Sequence, residues 1–382
     1  MPLDPQEIPL SLYVHIPWCV RKCPYCDFNS HEQQGELPEQ AYVDALLADL
    51  HGDIELAAGR PIRSVFFGGG TPSLFSPQAI GRFLREADRL LSFAKDVEIT
   101  LEANPGTVEA ARFAGYRAAG VNRLSMGIQS LADDKLAALG RIHGRAEALA
   151  AVESARDAGF DNFNLDLMYA LPGQSLAQAE ADLLELLALE PAHVSWYQLT
   201  LEPNTLFYQR PPVLPDDDAV GDIMDMGLAV LAEHGYLQYE ISAHAQAGRE
   251  CRHNLNYWQF GDYLGVGAGA HAKLTRSGGH ILRTTRERHP KRYLAAESGK
   301  ASSVRELSAA ELPVEFMLNA LRLQAGVEAK LFAARTGLPM SAISRQLQQA
   351  RSRGLMNTGP ERLQASELGW RFLNDLLAVF EP

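Results

Sequence analysis

The sequence predicts an α/β fold, a parallel partial (β/α)6 barrel followed by a small winged-helix-like domain. Three observations predict it. Strand-like and helix-like segments alternate six times over the first two-thirds of the chain, the pattern of parallel βαβ units with right-handed crossovers. The chemically distinctive residues come just after the strands, where a barrel carries its functional face. No GxGxxG follows the first strand, so a barrel accounts for the alternation better than an open dinucleotide-binding sheet.

The strand candidates are, in order, LYVHI, SVFFGGG, VEITLEANP, NRLSMGIQS, NFNLDLMYALPG and HVSWYQLTLEP. Between them EQAYVDALLADLHGDIEL, PQAIGRFLREADRLL, VEAARFAGYRAAG, RAEALAAVESARDAG and LAQAEADLLELLALE repeat apolar residues at helical spacing, and two of these end at Gly120 and Gly159. A further helix opens at Asp216 to Asp218, acidic residues suited to cap it, and YLQYEISAHA (236–245) then reads as a seventh strand. From about residue 305 the texture changes to short helices, a small hairpin in LMNTGPERLQAS and a closing helix. The expected domains are therefore 1–300 and 301–382. DNA binding is one reading of the second; packing against the barrel is the other, and the acidic balance favours it.

The chain has 382 residues, 46% hydrophobic and 21% charged, an ordinary globular composition with core material for two domains. Its net charge of −12 argues against a surface that binds nucleic acid over a whole face. Basic runs at 283–292 and 345–354 are expected to be solvated helix faces. The opening MPLDPQEIPL lacks the basic and apolar regions of a signal peptide, and no apolar run approaches the roughly 20 residues that cross a bilayer. A cytoplasmic protein is expected.

Three of the four cysteines, Cys19, Cys23 and Cys26, lie in one loop directly after the first strand, as CxxxCxxC. A disulfide would leave one thiol over, a structural zinc wants a fourth protein ligand, and CPYCD lacks the histidine of a CxxCH haem attachment. Three thiolates can instead hold three irons of a 4Fe–4S cluster and leave the fourth iron open to an exogenous ligand.

CxxxCxxC after the first strand of such a barrel, with GGGTP after the second, resembles the radical S-adenosylmethionine (SAM) family. YVHIPWCVRKCPYCDFNSH is similar to its oxygen-independent coproporphyrinogen III oxidase group, in particular the HemW branch of haem chaperones. The resemblance runs from residue 11 to the C-terminus. It implies a 4Fe–4S cluster on Cys19, Cys23 and Cys26, and SAM contacts along successive strand ends. Tyr13 would lie near the sulfonium and Tyr25 against the adenine. Gly68, Gly69, Gly70 and Thr71 would take the methionine amino group. Glu102 and Gln129 would be polar contacts, Arg141 the partner of the carboxylate, and Asp166 that of the ribose. Singly, Tyr13 and Asp166 also read as core-facing strand residues and Glu102 as an ion-paired or capping carboxylate.

HNLNYW, from His253 to Trp258, matches the HNxxYW pattern that the HemW branch associates with haem binding. An imidazole can ligate haem iron, and Tyr257 and Trp258 offer flat apolar surface to a porphyrin. Taken alone, His253 reads first as a structural histidine and Cys251 as a small buried core residue; His15, His193, His244 and His271 are weaker ligand candidates. Phe28 stands where the porphyrinogen-oxidising branch has a further cysteine, and only 18 residues precede Cys19, where that branch has a long extension. Both departures favour a haem carrier over a coproporphyrinogen dehydrogenase; radical modification of another substrate, RNA included, is a third reading. The implied partners are haem and haem-acceptor proteins such as membrane-associated respiratory enzymes. No nucleic acid is expected, and a homodimer is open.

Overall fold

The computed structural model describes residues 3–106, 111–296 and 301–381. Six parallel strands run through it in sequence order: β1 (Leu10–Ile16), β2 (Ile62–Gly69), β3 (Phe93–Ala103), β4 (Arg123–Gln129), β5 (Phe163–Tyr169) and β6 (His193–Gln198). Helices α1 (Glu39–Gly52), α2 (Pro77–Leu91), α3 (Phe113–Ala119), α4 (Arg145–Asp157), α5 (Leu176–Leu187) and α6 (Asp217–Glu233) follow them one by one. The expected helix over 108–120 begins outside the described residues; its end at Gly120 (φ +110) and that of α4 at Gly159 (φ +81) are left-handed, as a terminating glycine allows. Asp216 caps α6, its carboxylate accepting the Ala219 amide at 2.9 Å.

Beyond β6 the expected seventh strand is instead two short ones, β7 (Leu237–Gln238) and β8 (Ala243–Ala245), paired antiparallel. The cause is local: the Glu240 side chain accepts from both the amide and the hydroxyl of Ser242 and turns the chain between them. On the other flank β9 (Asp262–Val266) lies parallel to β1, and β10 (His271–Thr275), β11 (Ile281–Thr285) and β12 (Ser303–Glu306) extend the sheet antiparallel, to twelve strands. The linear strand order leaves two free ends, so the barrel is partial.

The basic run at 283–292 is therefore not a helix face over most of its length. Arg283 is in β11 and pairs with Glu315, and Arg286 is buried against Asp53. The run at 345–354 does fall on a helix (Ser344–Ser352) with most of its residues solvated.

Register decides what each strand face meets. Leu10, Leu12, Val14 and Ile16 of β1, with Val65, Phe67, Ile99 and Leu101, point outward into the apolar core under the helices. The alternate residues point into the barrel, and most of them are polar, Phe66 excepted. Ser11 is level with Ser64, and Ser64 with Glu98; Ser125 is level with Asn164, and Asn164 with His193. At the start of β9, Asp262 is fully buried and binds Arg60 and Lys273, each at 2.8 Å, fastening the added strands to β1.

A second apolar core forms from α8 (Leu312–Ala320), α9 (Ala329–Thr336), α10 (Ser344–Ser352) and the closing helices, with Phe316, Phe332, Leu347 and Leu376 at its centre. Tyr239, Leu255, Trp258 and Phe260 join it from the barrel side. Arg322 pairs with Glu240 and lies 4.3 Å over the Trp258 ring. The C-terminal helices thus pack against the barrel, and the expected boundary at residue 300 lies outside the described residues.

Candidate functional site

Pro17 ends β1, and the chain leaves the barrel mouth as a loop clipped at its base. Trp18 and Cys19 pair with His31 and Glu32, and the His31 and Gln33 amides donate to the Pro17 and Cys19 carbonyls at 2.7 and 2.8 Å. Cys19, Cys23 and Cys26 are free thiols on this loop, all partly exposed. Burial, opposed by a hydrogen bond to Thr71, raises the Cys19 thiol to about 11. Among the described residues no three metal-ligating side chains converge on one ion. Three free, partly exposed thiols on one loop are a donor set that fits a polynuclear cluster in which each sulfur takes a different iron.

Asn29 anchors the loop. Its side-chain amide donates to the carbonyls of Ala268 and Arg288, both at 2.9 Å, and its own carbonyl meets His15 Nε2. His15 Nδ1 in turn meets the Tyr13 hydroxyl at 2.9 Å, so both nitrogens of the His15 ring are engaged. Asn29 carries no motif signal of its own apart from its place in CDFNSH.

The structure brings together most of the residues the sequence marks for SAM. Tyr13 faces Gly68, where an added Cβ would lie 3.1 Å from the Tyr13 ring and 3.3 Å from the Glu102 carboxyl carbon. The Gly69 amide donates to Glu102 at 3.2 Å. Loss of hydration, then the nearby Asp166 charge, raises Glu102 to about 8; desolvation likewise raises Asp166. The glycines meet a demand of the fold itself. Gly69 has φ +114, and a Cβ there would lie 2.5 Å from the His15 ring; one on Gly70 would lie 2.5 Å from the Trp18 carbonyl oxygen.

Arg141 stands between the two halves of this mouth. Its Nη1 donates toward Cys23 Sγ at 3.6 Å, and Nη2 to Asn104 Oδ1 and the Gly127 carbonyl at 2.7 Å. Asn104 donates onward to Thr71 at 2.8 Å. Arg141 Nε is buried with no partner among the described residues, a donor left over for an anion. Tyr25 lies beside Cys23 and Arg141, and Gln129, in a left-handed conformation, accepts from the Tyr197 hydroxyl at 2.6 Å. A buried guanidinium with a spare N–H, two desolvated carboxylates and close backbone fit the charged ends of SAM.

The HNLNYW segment lies on the other side of Tyr13, with the His253 ring centroid 6.4 Å from that of Tyr13 and 5.1 Å from that of Phe66. It forms α7 (Arg252–Trp258), which closes the barrel floor at the opposite, N-terminal ends of the strands. The Glu98 carboxylate accepts the amides of Arg252 and His253, both at 3.2 Å, and the Cys251 thiol at 3.6 Å. His253 is 1% exposed, with Nδ1 on Ser64 Oγ at 3.0 Å and Nε2 on the Tyr257 hydroxyl at 2.9 Å. Burial, then the Arg123 charge, lowers it to about 3. Trp258 faces the C-terminal core under Arg322, away from the His253 ring. Both nitrogens of this imidazole are engaged by hydroxyl groups. Cys251, buried and raised to about 12, takes its core role, and His193 is held between Asn164 and Tyr239.

Residues 13–186 match the radical SAM superfamily and residues 307–372 the HemN C-terminal domain. The heme chaperone HemW of Escherichia coli (strain K12) is 52% identical, over 97% of this chain and 98% of its own. That of Haemophilus influenzae is 50% identical, over 98% and 99%. Among solved structures, Escherichia coli coproporphyrinogen III oxidase HemN, a radical SAM enzyme, has a TM-score of 0.82 at 23% identity, covering 98% of this chain and 90% of that one. At that identity the likeness is one of fold. Half or more of all positions shared over the full length of the two HemW proteins settles the relationship: the chain belongs to the HemW family of radical SAM proteins.

Proposed function

We propose that this protein is a cytoplasmic haem chaperone that holds a 4Fe–4S cluster and SAM at the barrel mouth and delivers haem to acceptor proteins such as respiratory enzymes. The observation that supports it most is the full-length identity to proteins named heme chaperones. Among the described residues no helix is long and apolar enough to cross a membrane, which suits a carrier that reaches its acceptors by diffusion.

In this reading Cys19, Cys23 and Cys26 hold the cluster, which supplies an open iron and one-electron chemistry when bound. Arg141 orients the Cys23 side of the loop and offers Nε to the SAM carboxylate, while Glu102 and Asp166 face its cationic and hydroxyl groups. Desolvation at Glu102 sharpens that selection, because a buried carboxyl gains most from a positive partner. Tyr13 and His15, hydrogen-bonded to each other and to the loop, keep the mouth rigid. Haem contact through His253, Tyr257 and Trp258 would require α7 to leave the barrel floor.

The second reading, oxidation of coproporphyrinogen III, has the fold likeness to HemN in its favour. Phe28 opposes it, standing 66% exposed on the loop in place of a further thiol. Anaerobic incubation of cluster-loaded protein with coproporphyrinogen III, SAM and a reductant separates the two. The carrier reading expects the porphyrinogen unchanged; protoporphyrinogen IX would overturn it.

A further inference from the structure

The HNLNYW helix α7 is held from two sides. Its inner side lies on β1, β2 and β9, with the Glu98 carboxylate on its first amides. Its outer side lies on α8 of the C-terminal domain. There Leu255 and Trp258 pack into the second core, and Phe260, just past the helix, meets Phe316 with ring centroids 5.6 Å apart. The outer route to Tyr257 and Trp258 therefore runs between α7 and α8, and α7 can leave the barrel floor only when α8 releases it.

This seam already contains a crevice of about 220 Å³. Tyr257, Trp258, Phe260 and Tyr263, four of the eight residues that line it, are aromatic, and Arg283 of β11 and Asn319 of α8 line it too. Flat rings beside a guanidinium suit a porphyrin and its carboxylates. The volume falls short of the roughly 300 Å³ at which pockets for organic ligands begin. A porphyrin fits only if the seam widens.

Two ion pairs between the barrel and the C-terminal domain keep the seam closed. Arg283 donates to Glu315 of α8 at 2.5 Å and to the Tyr263 hydroxyl at 2.7 Å. Arg322, just after α8, pairs with Glu240 at 3.3 Å and lies over the Trp258 ring. Arg283, Glu315 and Arg322 are all partly exposed, and ion pairs that reach solvent hold weakly. Arg322 Nε and Trp258 Nε1 are buried with no partner among the described residues, so the closed seam leaves two donors unsatisfied. Such a contact parts more readily than a fully bonded one.

We propose that haem reaches the HNLNYW segment through the seam between α7 and α8, that Glu315 closes this seam by occupying Arg283, and that a haem propionate takes the place of Glu315 as the seam widens. The exchange is one carboxylate for another on the same guanidinium. This rests on the haem-carrier reading; it adds Tyr263 and Arg283 to the haem site and makes the C-terminal domain its movable wall.

The two partners of one ion pair then have opposite effects. Anaerobic stopped-flow mixing of haem with the full-length, cluster-loaded protein, followed in the Soret region, reads them. Glu315→Gln frees Arg283 and should speed haem association about tenfold. Arg283→Gln removes the propionate's partner and should weaken haem binding about tenfold, the loss of one charge-assisted contact, with no gain in rate. A merely structural contact would move both variants the same way, so effects of one sign would overturn the proposal. Hydrogen exchange in the unaltered protein is an arm that needs no variant: haem should change exchange over residues 312–324, and unchanged exchange there would overturn the movable wall. Wild-type association in both variants, with loss in His253→Ala, would overturn this entrance while leaving the carrier reading intact. No saturable haem binding by the unaltered protein would overturn both.

Discussion

Arg141 Nη1 lies 3.6 Å from Cys23 Sγ, while Nη2 of the same guanidinium ties Asn104 and the Gly127 carbonyl. One planar side chain therefore links the cysteine loop to the ends of β3 and β4. A lysine has a point charge and no fork with which to repeat three directed bonds. Arg141→Lys is expected to weaken SAM binding about tenfold, the loss of one good charge-assisted contact. Calorimetry on cluster-loaded protein measures it. Unchanged affinity would mean that the guanidinium serves the loop alone.

The four thiols should behave differently. Cys19, Cys23 and Cys26 are partly exposed on one loop, whereas Cys251 is buried and donates to Glu98 at the other end of the barrel. Cys26→Ala is expected to lose the cluster's visible absorbance and most of its iron, and Cys251→Ala to keep both. Full iron content in Cys26→Ala would remove that thiol from the ligand set.

His253→Ala should act as a structural lesion. It empties a buried site and strands the Tyr257 hydroxyl, for a loss of about 2–4 kcal/mol in denaturant unfolding. A change below about 0.5 kcal/mol would show that the floor does not depend on this ring.

The same residue sets a pH dependence. His253 is lowered from 6.5 to about 3 in the fold, first by burial and then by Arg123. The unfolded chain therefore binds a proton that the folded one refuses. Its contribution is full above pH 6.5 and is lost as pH falls toward 3, at about 1.4 kcal/mol per unit. His253→Gln should flatten the stability profile by that slope between pH 6 and 4. An identical slope in the variant would contradict the neutral, buried ring.

Asp262→Ala should cost about 3–5 kcal/mol, because it leaves the buried cations Arg60 and Lys273 without their partner. Thermal unfolding measures it, and a Tm within two degrees of the parent, about what a change under 1 kcal/mol would give, would show the pair rehydrated.

The barrel and its cysteine loop were legible because their signals are local. Each strand–helix unit carries its own periodicity, and CxxxCxxC fits in eight positions. The barrel floor was not, because Ser64, Glu98, Arg123 and His253 come from distant segments that meet only through parallel pairing. A signal for it was nonetheless present: LSLYVHI, VEITLEA, FNLDLMY and HVSWYQ alternate polar with apolar residues on strands buried on both faces. That alternation marks a polar barrel interior. Read with it, HNLNYW becomes a segment that can satisfy such an interior. The added strands β9 to β12 gave no comparable sign, since β9 owes its place to Asp262, Arg60 and Lys273 rather than to a pattern of its own.

The central claim is that the protein carries haem, and the most direct measurement is an anaerobic haem titration of the full-length, cluster-loaded chain with absorbance across the Soret region. The account predicts saturation at one haem per chain, with an imidazole-ligated spectrum and the iron–sulfur absorbance retained beneath it. Absorbance that rises linearly without saturation, as free haem does, would contradict it.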